Sequence, residues 1–283
     1  MDNGVREPTP RALVENVLQL ISLPEIYLRL QQTIDNPAHS REQVAEIIAY
    51  DPSLSARVLR IANSSYYSFP SKIDSVASAV GIIGELDLRN LVLATTVVGS
   101  MNALKYKGVN VDDFWLHSLR CGIIARLIAK SVGGTNPEIL FLAGILHDLG
   151  ILVIYQQDTV LAGAVARQIE EQHQLRDQAE RELMGFDHAE VGALLIEAWG
   201  LSMELSELAR CHHQYQLAQS NQQATVMLAL ANLLAGADFS IAGATDIRFE
   251  ALIEQLGISE NSLAEIVETG EQQCAEVKTI ILG

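Results

Sequence analysis

The chain has 283 residues, of which 49% are hydrophobic and 19% charged. That is enough apolar sequence for one large domain or two smaller ones, and it argues against any long disordered stretch. With 35 acidic and 19 basic residues the formal charge is −16, which argues against a main role on nucleic acid or an anionic membrane surface, although a small local basic pocket is compatible with it.

In chain order, residues 1–9 are polar and contain proline. They are expected to form a loose tail, without the basic-then-apolar pattern of a signal peptide. Helical periodicity then dominates, with no sustained strand-like alternation, so an all-α fold is expected. Residues 10–107 read as five or six helices. Ser40 with Gln43 forms a capping box opening a helix through Ile48. Asp51 before Pro52 places a capping carboxylate ahead of a proline at the first helical position and opens a helix over 53–63. Glycine and charge break the pattern at 105–112. This is the expected boundary between an N-terminal helical subdomain, 10–107, and a second helical subdomain, 108–283.

Asn136-Pro137 repeats the cap-and-proline device before 138–149, and Asp187 with Glu190 caps a helix over 191–199. The glutamine-rich stretch 214–223 reads as a surface loop. Apolar runs such as 149–155 are too short to span a bilayer. Cys121, Cys211 and Cys274 fit neither a CxxC metal site nor a disulfide framework, and suit a reducing cytoplasm.

Six of the seven histidines lie after residue 116. His39 precedes the Ser40 cap in a loop and has no assigned role; His173 sits in a polar run and reads as solvated surface. His147-Asp148 ends the apolar stretch 139–146, where a buried imidazole and carboxylate incur a desolvation cost that partners or a metal must offset. A satisfied core pair is the other reading. His117 shares a helix face with Asp113 and Cys121, flanked by Phe114 and Ile124, and reads equally as a hydrogen-bonded core histidine. His188 lies in the first turn of the helix that Asp187 caps, where the dipole favours the neutral, ligating imidazole. His212-His213 ends a helix over 205–211. Neighbouring histidines point apart on a helix, so both join one cluster only by reaching separate partners, and C-terminal capping is the alternative.

The order His117, His147-Asp148-Leu149-Gly150, His188, His212-His213 resembles the HD superfamily of metal-dependent phosphohydrolases. Over residues 20 to about 240 the sequence is more similar to HDOD domains. The likeness rests on Leu23-Pro24, Asp51-Pro52-Ser53-Leu54-Ser55-Ala56 running on to Ala62-Asn63-Ser64, and Ile73-Asp74-Ser75. It continues in Leu88-Arg89-Asn90-Leu91, Phe114-Trp115-Leu116-His117-Ser118, the segment Ala143 to Gly150, and His188-Ala189-Glu190-Val191-Gly192. The resemblance implies a bacterial signalling module with an N-terminal helical bundle followed by an HD-like bundle.

The resemblance also implies a site. His117, His147, Asp148, His188, His212 and His213 match the ligands of the HD-GYP phosphodiesterase branch, for one or two Fe, Mn or Zn ions. Asp113 and Asn232 stand at neighbouring positions. Asn232 replaces an acidic ligand, Ile151 stands where those relatives often carry lysine, and no Gly-Tyr-Pro loop follows His213. The expected role is therefore regulatory, through contacts with signalling proteins around a metal-holding site. The alternative is a metal-dependent phosphohydrolase acting on a phosphorylated small molecule. Candidate anion-binding residues for that alternative are Arg57 and Arg60, one helical turn apart, among the cations Lys72, Arg89, Lys105 and Lys107.

Overall fold

A computed structural model describes residues 9–236 and 247–282; within them every regular element is helical. The N-terminal run comprises α1 (Pro10–Val17), α2 (Glu25–Ile34), α3 (Arg41–Ala49), α4 (Pro52–Ala62), α5 (Val76–Ile83) and α6 (Glu85–Asn102). The second run comprises α7 (Val111–Val132), α8 (Pro137–Leu146), α9 (Leu149–Gln157), α10 (Thr159–Gln172), α11 (Arg176–Met184), α12 (His188–Ala198), α13 (Met203–Cys211), a 3-10 turn at Tyr215–Leu217, α14 (Gln222–Gly236), α15 (Arg248–Leu256) and α16 (Glu260–Ile281).

The expected helix starts coincide with caps. Ser40 and Gln43 form the reciprocal box, and Asp51 accepts from the Ser53 and Leu54 amides. Asn136 accepts from Glu138, and Asp187 accepts from the Glu190 amide at 2.9 Å. Boundaries move by a few residues where capping prolines and His188 join their helices as first residues. Thr9 caps α1 through the Ala12 amide, so the expected tail ends before it; residues 1–8 lie outside the described residues.

The buried apolar residues of both runs form one contiguous cluster from Leu13 to Ile281. The runs also interleave, with α1 packing on α9 and α12, and α16 packing on α7, α4 and α6. Between them lies a buried polar joint. Arg126 on α7 meets Glu138 on α8 at 2.6 Å and donates to the Tyr66 carbonyl at 2.8 Å. The Tyr66 hydroxyl donates to Glu138 at 2.7 Å, and the guanidinium lies 3.7 Å from the Tyr66 ring centre. Tyr66 follows α4, so the joint ties the N-terminal run to the helix that ends at His147.

One expectation is corrected. The apolar stretch Pro137–Gln157 has the length and composition of a membrane span, well beyond the run 149–155. It is divided by the turn at His147-Asp148, and 94% of its most apolar window is buried inside the fold. The stretch 214–223 is mostly exposed, as expected of a surface loop, but is anchored at a few points. Tyr215 and Ala218 are buried, and Glu207 accepts from the Gln219, Ser220 and Asn221 amides. His39 has a structural partner: its Nε2 lies 2.6 Å from Glu85, joining the α2–α3 connection to α6.

Backbone proximity sets the helix positions around the His147-Asp148 turn. A methyl group on Gly144 would run into Gly122 of α7 and lie 2.8 Å from the Cys121 carbonyl carbon. One on Gly150 would overlap the His188 carbonyl oxygen and lie 2.8 Å from the Gly192 nitrogen. Glycine at these two places lets α8 lie against α7, and α9 against α12, at backbone distance.

Candidate metal centre

Five elements deliver the polar residues to one place. α7 carries His117, the α8–α9 turn carries His147 and Asp148, and α12 begins with His188. His212 and His213 follow α13, and α14 carries Asn232. Ligand atoms of Asp148, His188, His212 and His213 lie within 4.8 Å of one another, as do those of His117, His147 and Asp148. Asp148 belongs to both groups, so the described residues present two adjoining sets sharing one carboxylate.

Hydrogen bonds behind the rings decide what faces inward. His147 Nδ1 lies 2.8 Å from the Gly144 carbonyl and His212 Nδ1 lies 2.7 Å from that of Ala209. A carbonyl only accepts, so both Nδ1 atoms carry the hydrogen, and in the neutral rings Nε2 presents a lone pair. His147 Nε2 approaches Asp148 Oδ2 at 3.2 Å, and His212 Nε2 approaches Oδ1 at 3.5 Å. Both Nε2 atoms and Asp148 Oδ1 are buried without a hydrogen-bond partner. Lone pairs facing a carboxylate in a buried place repel one another unless a cation lies between them.

His188 is held differently. Its backbone amide and its Nδ1 both reach Glu180 Oε2, at 2.8 and 2.5 Å. Its Nε2 lies 3.2 Å from Asp148 Oδ1 and 3.0 Å from His213 Nε2. Burial disfavours an imidazolium here, but the Glu180 and Asp148 carboxylates outweigh it and push the His188 pKa up to about 10. This corrects the expectation that the helix N-terminus keeps His188 neutral: two carboxylates at contact distance exceed a terminal dipole worth about 1 kcal/mol. A metal at Nε2 would replace that proton as the positive charge.

Burial also opposes ionisation of Asp148, yet the surrounding imidazoles, His147 foremost, hold its pKa well below the usual carboxylate range. Burial lowers His117 to about 4, lowers His212, and brings His213 well below its ordinary value. Those three rings stay neutral at physiological pH, the form that ligates. The donor set is therefore imidazole and carboxylate, with the far nitrogens of three rings fixed by carbonyls or a carboxylate. This arrangement fits a divalent transition metal.

His212 and His213 both join the cluster although they are adjacent. Helix α13 stops at Cys211, and the chain turns so that the two rings lie 3.9 Å apart and reach Asp148 and His188 respectively. Asn232 interacts with His117, partly offsetting the effect of burial on its pKa, and lines a small gap with His212, His213 and Arg248. Asp113 is exposed, is held by Asn110 at 2.5 Å, and is not one of the clustered groups. Arg57 and Arg60 lie on α4, which packs on α3, α5, α6 and α16 rather than at the histidines; Arg57 is half-buried and Arg60 exposed. Ile151 is buried on α9.

Sequence reasoning missed Glu180. It lies in the polar run of α11 and is almost fully buried; only a buried position eight residues before a candidate ligand could have singled it out. Arg181 was missed too. It pairs with Asp177 at 2.9 Å and with Asp187, the cap of α12.

The profile of the HDOD domain family matches residues 20–215. A crystal structure from Shewanella amazonensis SB2B, of a protein provisionally named a phosphohydrolase, is 31% identical with a TM-score of 0.77. The match covers 96% of this chain and 98% of that one. An HDOD domain protein of unknown function from Geobacter sulfurreducens is 26% identical with a TM-score of 0.74, covering 95% and 96%. An uncharacterised protein from Treponema pallidum (strain Nichols) is 24% identical over 214 residues, which span 71% of this chain and 39% of that protein's length.

Proposed function

Because the chain belongs to the HDOD domain family, we propose that it is a metal-dependent phosphohydrolase-type module, built around one or two divalent ions of Fe, Mn or Zn. One observation carries this reading. Asp148 is faced by the Nε2 atoms of His147 and His212, whose carbonyl partners behind the ring leave lone pairs pointing at it, and both of these nitrogens are buried and unpaired. The name of the Shewanella relative supports the reaction class. His188, His212 and His213 would hold one ion and His117 and His147 the other, with Asp148 shared. When bound, such ions supply Lewis acidity toward a phosphoryl oxygen. Asn232 would lie beside His117, and Glu180 orients His188 and stabilises its positive charge.

The test is elemental analysis of the protein after loading with Mn, Fe or Zn, followed by a screen of phosphomonoesters and phosphodiesters. Up to two ions per chain are expected, with H117A losing one and D148N losing both. A wild-type chain that takes up none of the three metals would overturn the reading.

A second reading is a regulatory module that signals through protein contacts around the same site. It is favoured by Asn232 and Ile151 at positions where hydrolytic relatives carry acidic and basic residues. Phosphoester turnover that H147A abolishes would refute it.

A further inference from the structure

Away from the histidines, two adjoining clefts of about 480 Å³ each open beside α2 and α3. Each lies within the roughly 300–1,000 Å³ range of small-ligand sites. Arg29 of α2 and Tyr50, which follows α3, line both clefts and so stand at their junction. Helix α2 packs on α3 and α6, and neither carries a clustered histidine.

Some charged groups along these walls are engaged within the fold. His39 Nδ1 lies 2.7 Å from the Asn36 carbonyl and its Nε2 2.6 Å from Glu85. Asp51 accepts from the Ser53 and Leu54 amides. Three others are not engaged. Among the described residues the side chains of Arg29, Glu25 and Glu46 make no ion pair or hydrogen bond, and the contact of Arg29 is the Tyr50 ring, whose centre lies 5.7 Å from the guanidinium carbon. Glu25 precedes Arg29 by one helical turn, and Glu46 precedes Tyr50 by one. Glu46 lines one cleft and Glu25 the other, while the Tyr50 ring is 80% exposed between them.

This arrangement restricts the ligand. An anion drawn to Arg29 meets a carboxylate in either cleft, and a cation drawn to a carboxylate meets Arg29. A molecule carrying both charges satisfies both. Its carboxylate matches the planar fork of the guanidinium, and its ammonium donates to a carboxylate. The Glu25 cleft also offers Ile26 and Pro52 beside Tyr50, an apolar surface suited to a ring.

We propose that this groove binds a zwitterionic α-amino acid with an aromatic side chain. The ring would lie on Tyr50 toward Ile26 and Pro52. That leaves the first cleft to the charged end, with the carboxylate on Arg29 and the ammonium on Glu46. No candidate metal ligand takes part, so the proposal stands apart from the metal-dependent reading.

The test is a ligand-detected NMR titration of L-phenylalanine, N-acetyl-L-phenylalanine, L-phenylalaninamide and glycine into wild type, R29A, E46Q and Y50A. Melting and Mn uptake are measured on the same samples. The three substituted side chains are exposed, so both should match wild type. L-phenylalanine should bind most tightly. The acetylated compound lacks the ammonium and the amide lacks the carboxylate, and each should bind about tenfold more weakly, the scale of one charge-assisted contact. R29A should weaken L-phenylalanine to the same extent and leave the amide unchanged. E46Q should weaken L-phenylalanine and leave the acetylated compound unchanged. Y50A should weaken L-phenylalanine but not glycine.

Retained binding of the matched derivative shows that each variant keeps the groove folded. Absence of L-phenylalanine binding to wild type at about 10 mM, well above a millimolar dissociation constant, would overturn the proposal. Equal affinity for L-phenylalanine and its two derivatives would overturn it too, as would tighter binding of the acetylated compound, which would mark an anion site. Loss of L-phenylalanine and both derivatives together in R29A or E46Q would also overturn it. Mn uptake by wild type decides the metal reading separately.

Discussion

The Nδ1 atom of His188 lies 2.5 Å from a carboxylate oxygen of Glu180, and the same oxygen accepts the His188 backbone amide. One buried carboxylate therefore fixes both the tautomer of the ring and the first residue of α12, leaving Nε2 directed at Asp148.

Replacing Glu180 with glutamine keeps the shape but removes the charge. Metal affinity is expected to fall roughly 10–100-fold, the range for lost partners behind metal-binding histidines. Competition with a chromophoric chelator would measure it. An affinity equal to wild type would show that Glu180 does not support the ligand.

Protons and metal compete at His188. Its pKa is raised to about 10, so without metal the imidazolium contributes stability that is fully present below the unfolded value of about 6.5 and is lost as pH rises through about 10. A cation at Nε2 must displace that proton. Apparent metal affinity should therefore rise with pH through this window, with a proton released on uptake near neutral pH. Asp148 has the opposite sign: its depressed pKa contributes stability present above about 3.9 and lost as pH falls through its folded value. Calorimetry in two buffers of different ionisation enthalpy would count the released proton, and a pH-independent affinity would contradict the account.

Gly150→Ala should destabilise the fold strongly, because the added methyl meets backbone atoms of His188 and Gly192 that cannot rotate away. A loss at or above the upper end of the roughly 1–3 kcal/mol typical of overpacking is expected. Metal uptake should weaken too, since α9 and α12 must part. Gly163→Ala, where the nearest neighbour is a flexible arginine tip, serves as the contrasting helical substitution and should be near neutral in thermal denaturation.

The buried Arg126–Glu138 pair makes a similar prediction for the joint between the two helical runs. Arg126→Met leaves a buried carboxylate with only its tyrosine partners and should cost about 3–5 kcal/mol. The double change Arg126→Met, Glu138→Leu removes both charges and should recover much of that loss. Denaturant unfolding of the single and double variants would measure the coupling, and additive losses would exclude it.

Helix class and most helix starts were legible from local patterns. Ser40, Asp51, Asn136 and Asp187 signal caps because capping is satisfied within three residues along the chain. His117, His147, Asp148, His188, His212 and His213 were legible as a set only through the resemblance of their order to HD-type sequences. The protonation of His188 was not, because it depends on Glu180 from another helix and Asp148 from another turn. Nor was the course of residues 214–223, which are polar in sequence but anchored by Glu207 and by the burial of Tyr215.

The sequence by itself determined that the chain is helical and where most helices begin, because each depends on periodicity or capping over a few positions; the candidate metal ligands came from the resemblance of their order to HD-type sequences. Only the tertiary structure decided that α7, the α8–α9 turn, α12 and the end of α13 meet at Asp148, that Glu180 lies behind His188, and that Arg248 rather than Arg57 or Arg60 borders the site. Those relations join residues far apart in the chain. They depend on how closely helices approach, which Gly144 and Gly150 permit, and on burial, which makes each unpaired lone pair costly.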